Sequence, residues 1–262
     1  PETLVSDLPQ RWEKIGDVLL LRIPDSLSRY KEVVARVYAD VLRCRSVLEE
    51  YGAITGVYRK PRVRLIFGEN DTETVHVENG IRFRLDPKEI MFSSGNVDER
   101  KRMATIAGTD EQVLDLFSGI GYFAIPMAKF STPKKIVACE INPVAYRYLK
   151  ENSVLNDVVD ILDPVFGDNR KTAPEQWADR VLLGYLDNTK SFLPLALKAL
   201  KQRGGILHFH EVYPHENIPD IAFQEIKSLA TNYFKEIELV NWKIIKSYAP
   251  GIVHAVLDIR AG

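Results

Sequence analysis

Apolar positions along this chain fall into two textures. From about residue 106 onward, short apolar runs alternate with stretches of helical periodicity. The runs are 113–117, 136–140, 181–186, 205–210, 235–246 and 252–259. Such alternation predicts βαβ units and a mostly parallel sheet. The last two runs adjoin, with Ala249-Pro250-Gly251 as a tight return, and so form an antiparallel pair. Before residue 106 the pattern is mixed. A strand is predicted over 18–23. Asp25-Ser26 is a helix-start signal, and Val33, Val37, Val41, Leu42 and Val47 recur after it at helical spacing. Segments 62–67 and 72–77 read as strands, and 76–85 as a hairpin around Asn79-Gly80. The expectation is an α/β protein: a smaller α+β domain over 1–105, then a Rossmann-like domain over 106–262 whose sheet ends in a C-terminal antiparallel hairpin.

Length and composition narrow this only slightly. A chain of 262 residues, 45% hydrophobic and 27% charged, has the make-up of an ordinary globular protein with a sizeable core. No apolar run reaches bilayer-spanning length, and no secretory signal is visible, so no membrane partner is expected. The chain begins at Pro1 rather than Met, so its start is not read as a native terminus. Cys44 and Cys139 are far apart and outside any C-x-x-C spacing, which suits a reducing, cytoplasmic setting and supplies no thiol metal site. Net charge is −1, so nucleic-acid binding would have to rest on a local basic patch.

The chemistry concentrates at the run ends, where open α/β sheets bind ligands. Residues 113–121 read VLDLFSGIG, a strand with Asp115 at its end, then Phe117 and a turn containing Gly119 and Gly121. Glu140 ends the next strand, placed to hold a ribose diol. Gly119, Gly121 and Ala124 also satisfy the dinucleotide spacing, which keeps an NAD-dependent oxidoreductase as the competing class. Asp115 argues against it, because a carboxylate in the turn would face a pyrophosphate. S-adenosylmethionine has no phosphate and offers a sulfonium and an ammonium instead. The D-x-F-x-G-x-G spacing resembles the first motif of class I S-adenosylmethionine-dependent transferases, and the C-terminal hairpin is the usual close of that fold.

Further candidates follow the same logic. Glu140 precedes Asn142-Pro143, so it also stands at a helix start. Gly167-Asp168-Asn169 follows the third strand, where this fold reaches the adenine; the alternative is a plain turn. Segment 184–189 follows the fourth strand, with Asp187 and Asn188 as polar groups for a nucleobase edge, or else a solvated loop. His208, His210, Glu211, His215 and Glu216 suggest a metal, but two histidines two apart on a strand are more simply strand residues, so no metal is expected. Arg62 and Arg64 make one strand face basic, with Arg59 and Lys60 adjoining and Tyr58 and Phe67 nearby. That fits RNA docking or an ordinary charged edge. A non-catalytic RNA-binding module would share this surface but has no use for the acidic cofactor set.

IGDVLLLRIP, the F-S-x-G…E-R segment at 92–100, DLFSGIGYFAIPMA, ACEINPVAYRYLKENSVLN, GDNR and GGILHFHE follow one another in order. Together they resemble archaeal and eukaryotic enzymes that modify tRNA position 37, over nearly the whole chain. One branch of that family methylates N1 of guanine 37. The other transfers the 3-amino-3-carboxypropyl group of S-adenosylmethionine to C7 of 4-demethylwyosine in tRNA(Phe), in wybutosine biosynthesis. The methyltransferases typically carry an Asn-x-Pro-type motif after the fourth strand, whereas this chain has Leu186-Asp187-Asn188-Thr189 there. Its IGDVLLLRIP segment also starts about fifteen residues in, without the extra N-terminal domain common in archaeal methyltransferases. The resemblance therefore implies the aminocarboxypropyl branch, with guanine-37 methylation as the alternative. It implies that Ser93 and Arg100 hold the cofactor's methionine arm, Glu140 the ribose, and Asp168 and Asn169 the adenine side, with turn 115–121 beneath. It assigns docking of a tRNA with a modified guanine 37 to the first domain. The proton-accepting base is not assigned, and Asp187 is offered only as a guess.

Overall fold

A computed structural model describes residues 6–186 and 188–262. The chain divides into two compact units, residues 1–94 and 95–262.

In the first unit, β1 (Trp12–Ile15) and β2 (Val18–Leu21) form a hairpin. β2 then pairs in parallel with β3 (Ser46–Thr55), which pairs antiparallel with β4 (Lys60–Gly68). The parallel step needs a crossover, supplied by α1 (Lys31–Leu42). A 3₁₀ turn, Asp25–Tyr30, precedes α1, so Asp25-Ser26 does not cap the helix itself. The helix also turns a different face inward than the valine spacing predicts. Val33, Val37 and Val41 are exposed, while Val34, Ala35 and Ala39 are buried. The small alanines let the helix backbone approach the sheet, and Leu19, Leu21 and Val47 fill the volume between. α1 ends where Arg43 turns left-handed (φ 55°), and Val47 belongs to β3, not to a continuing helix. β5 (Thr74–Glu78) and β6 (Ile81–Leu85) form the hairpin expected at Asn79-Gly80, both with positive φ.

In the second unit, seven strands run in the order β12-β13-β11-β10-β7-β8-β9. They are β7 (Gln112–Asp115), β8 (Lys135–Glu140), β9 (Leu162–Phe166), β10 (Arg180–Leu183), β11 (Gly205–Pro214), β12 (Ile237–Ala249) and β13 (Ile252–Ala261). β7 to β11 are parallel, and β13 lies antiparallel between β11 and β12. The apolar runs outlined six of these strands. The seventh, β9, is too polar to read as a run, and its Pro164 is tolerated because β9 is an edge strand. Helices α3 (Ala124–Phe130), α4 (Pro143–Leu155), α5 (Asn169–Thr172), α6 (Leu193–Ala199) and α7 (Asp220–Ala230) connect the strands. One side of the sheet packs Leu114, Val181, Leu207 and Leu257 against Leu193, Leu197 and Ile226.

The boundary between the units falls at Ser94/Gly95 rather than at 105/106. The reason lies in α2 (Val97–Met103), whose Glu99, Arg100 and Met103 are buried, and whose Arg102 is bonded to Asp258 on β13. A short helix with that many buried charges goes with the unit that supplies its counter-charges.

Candidate cofactor site

Strand order reverses direction between β7 and β10: from β7 the chain builds outward through β8 and β9, then returns to the other side through β10 and β11. The carboxyl end of β7 is therefore the switch point where such sheets take ligands. Asp115 closes β7 there, and the 116–122 turn leads from it into α3. Gly119 (φ 57°) and Gly121 (φ 98°) are left-handed. A Cβ on Gly119 would press on the Tyr122 ring and one on Gly121 on Ile125, and the left-handed backbone strains any side chain at either position.

The turn is pinned from three directions. Ser118 N donates to the Cys139 carbonyl of β8 at 3.0 Å. Asn169 Nδ2, from the far end of β9, donates to the Leu116 carbonyl at 2.8 Å. Glu140 accepts from Gly119 N at 2.7 Å through Oε2 and from Asn142 N at 2.6 Å through Oε1. With the Ile141 amide as a third backbone donor, the carboxylate still keeps lone-pair capacity for a hydroxyl. Burial raises the Glu140 pKa, opposed by those backbone donors.

Asp115 is the electrostatic centre of the site. Its Oδ1 accepts from Phe117 N at 3.1 Å, while Oδ2 is buried without a hydrogen-bond partner among the described residues. Burial pushes its carboxyl up to about 7, the Glu140 charge adds to the rise, and the Phe117 amide and Ser118 hydroxyl oppose it. A buried carboxylate with an open oxygen costs free energy that a ligand cation would relieve. Phe117 turns toward β10: its ring stacks on Tyr185 (centroids 5.0 Å, 20°) and meets Phe192 edge-on at 4.9 Å.

The other sequence-selected residues sit as follows. Asp168 caps α5 by accepting from Arg170 N at 3.0 Å and pairs with the Arg170 guanidinium at 2.6 Å, which holds its carboxyl below its usual value. Asn169 is buried and commits its amide to the turn. Arg100 is buried on α2 of the second unit, and Ser93 lies in the first. Asp187 lies outside the described residues. His208 and His210 are both buried on β11, with Asp258 and His254 as their respective neighbours. Among the described residues no group of three or more His, Cys, Asp or Glu is placed to hold a metal, and no helix is long and apolar enough to cross a membrane.

One feature escaped the sequence: a partly buried polar chain linking Glu111, Arg180, His208, Asp258, Arg102 and Glu99. The available signal was a charge inside an apolar run, as with Arg180 before VLL and Asp258 between VL and IR.

A Rossmann-like sheet closed by an antiparallel hairpin, with an open buried carboxylate under a glycine turn and a second acid one strand over, defines a class I methyltransferase-fold protein of the S-adenosylmethionine-dependent type. The chain matches the TRM5/TYW2 methyltransferase domain over residues 74–240 and the TYW2 N-terminal domain over residues 1–72, and it belongs to the TRM5/TYW2 family. It is 45% identical over 260 residues to the tRNA(Phe) (4-demethylwyosine(37)-C(7)) aminocarboxypropyltransferase of Pyrococcus horikoshii, covering 99% of this chain and 92% of that one. It is 33% identical to the tRNA (guanine(37)-N(1))-methyltransferase Trm5b of Pyrococcus abyssi, covering 99% of this chain and 77% of that one. The crystal structure of P. horikoshii TYW2 in complex with MeSAdo superposes with a TM-score of 0.88 at 42% identity, covering 99% and 94% of the two chains.

Proposed function

We infer that this protein transfers the 3-amino-3-carboxypropyl group of S-adenosylmethionine to C7 of 4-demethylwyosine at position 37 of tRNA(Phe). The observation that carries the inference is the 45% identity, spread over nearly the full length of both chains, to an enzyme with that activity. The match of residues 1–72 to the TYW2 N-terminal domain supports this branch over guanine-37 methylation.

The site fits the donor. S-adenosylmethionine supplies a sulfonium whose three attached carbons are open to a nucleophile. Which carbon is presented is decided by what this chain holds. Asp115 Oδ2 is the open anion for a cation of the donor. Glu140, already oriented by Gly119 and Asn142, offers its remaining lone pairs to the ribose hydroxyls. Asp168 and Asn169 stand on the adenine side, Asn169 by shaping the turn. Arg100, on the same unit as the turn, takes an end of the methionine arm. The overall reaction forms a bond from C7 to the γ-carbon, breaks the sulfur–γ-carbon bond, and releases methylthioadenosine and one proton. Crystallisation of the P. horikoshii relative with MeSAdo is consistent with that product.

The first unit is assigned to tRNA docking. The outer halves of β3 and β4 are exposed, and Arg62 and Arg64 lie 5.1 and 5.6 Å over the Tyr51 ring, with Tyr58 exposed at the hairpin end. Cations interleaved with aromatic faces suit an RNA strand.

The deciding measurement is the by-product formed from S-adenosylmethionine and tRNA bearing 4-demethylwyosine. Methylthioadenosine is expected; S-adenosylhomocysteine would assign the methyltransferase reaction instead.

A further inference from the structure

The partly buried polar chain ends on the helix that carries Arg100. Arg102 makes a fork on each side. Its Nε and Nη2 donate to Glu99 of the same helix at 2.9 and 2.6 Å, and its Nη1 and Nη2 donate to Asp258 at 2.6 and 3.2 Å. Asp258 sits in the middle of β13, flanked by both neighbouring strands. His208 of β11 donates to it through Nδ1 at 2.6 Å, and Asn241 of β12 through Nδ2 at 3.1 Å. The direction of the His208 bond is fixed from behind. Arg180 Nη1 lies 2.6 Å from His208 Nε2, and a guanidinium only donates, so Nε2 accepts and Nδ1 carries the hydrogen. Arg180 is in turn held by Glu111 at 2.7 and 3.0 Å.

This arrangement is costly to bury and no more stabilising than a well-packed apolar contact would be. What it supplies is direction. α2 spans Val97–Met103 and has no side-chain bond at its N-cap, so its own sequence does little to orient it. On an α-helix, residues two apart point about 200° from each other. Pinning Arg102 to the sheet therefore aims Arg100 to the opposite side of the helix.

We propose that Asp258 is a positioning residue for the cofactor's methionine arm, acting through Arg102 and the orientation of α2. This rests on the assignment of Arg100 to that arm within the aminocarboxypropyl-transfer reading. Arg102 cannot be replaced by Lys in this role, because a point charge cannot span Glu99 and Asp258 as the fork does.

The test compares two ligands that differ by the arm. Methylthioadenosine lacks the aminocarboxypropyl group and S-adenosylmethionine carries it. In calorimetry, Asp258→Asn is expected to weaken S-adenosylmethionine about tenfold and to leave methylthioadenosine unchanged. Arg102→Lys is expected to do the same, and Asn241→Ala, which removes one bond to Asp258, to do so more weakly. These two variants decide the matter if Asp258→Asn does not fold. Equal weakening of the two ligands, or no change in either, overturns the proposal and leaves Asp258 a structural residue. If wild-type protein instead releases S-adenosylhomocysteine from modified tRNA, the functional reading fails while the ligand comparison still stands or falls on its own.

Discussion

Asp115 combines two properties that seldom coexist in a resting side chain: full burial and an oxygen without a partner among the described residues. Burial pushes its carboxyl up to about 7, so near neutral pH the folded protein holds a proton there that the unfolded chain gives up at about 4. Between those values the native state binds more protons than the unfolded one. The group's contribution to stability therefore falls as pH rises from about 4 to about 7, then levels off. Ligand binding runs the opposite way. A cation is held by the ionised carboxylate, so affinity for S-adenosylmethionine is expected to rise with pH up to about 7 and flatten above it, with proton release on binding near pH 6. Calorimetry in buffers of different ionisation enthalpy reads that proton directly. Asp115→Asn is expected to abolish both the release and the pH dependence. At this scale the placement of Asp115 and Glu140 at adjacent strand ends beside the glycine turn was legible in the sequence, because a strand-end acid next to glycines is a local pattern. For Asn169 the spacing marked a strand-end position but carried no sign of the bond its amide makes to the Leu116 carbonyl, between residues far apart in the chain.

Among the elements, α4 shows how local chemistry places a functional strand end. Asn142 caps it, its Oδ1 accepting from Val144 N at 2.9 Å and Ala145 N at 3.5 Å, and Pro143 stands in the first turn. The cap and Glu140 are two residues apart, so the helix start and the acid are set by one backbone segment. Asn142→Ala is expected to cost about 1 kcal/mol, a fall of roughly 2–4 °C in thermal midpoint for a chain of this size. A scanning calorimetry trace with no shift would mean the cap is redundant. α1 shows the limit of periodicity. Valines at i, i+4 and i+8 make a convincing stripe, yet the helix buries Ala35 and Ala39, because the sheet beneath it already carries large side chains. A single-helix pattern cannot register the volume of its partner. β3 was lost for the same reason, since Val47 extends the stripe by spacing alone.

For the whole molecule, the functional assignments divide between the two units, and so do the experiments. The β3–β4 arm of the first unit carries the aromatic and basic groups assigned to RNA, while the donor's acidic set is in the second. Replacing Lys60 and Arg62 with Ala is expected to weaken tRNA binding and to reduce the slope of log affinity against log salt by about one for each phosphate left without its cation. Affinity for S-adenosylmethionine alone is expected to stay unchanged. A fall in cofactor affinity in that variant, or an unaltered salt slope, would remove the arm from the docking surface.

The sequence by itself determined the fold class, the parallel sheet with its terminal hairpin, the cofactor turn and the family. Each of these is written locally, as period, glycine placement and strand-end charge, or as an ordered set of motifs. Only the tertiary structure decided which face of α1 is inside and that α2 belongs with the second unit. It also decided that Arg102, Asp258, His208 and Arg180 form one chain. Burying a charge or choosing a helix face depends on the partner that arrives from elsewhere in the chain, and a linear pattern carries no record of that partner's volume or charge.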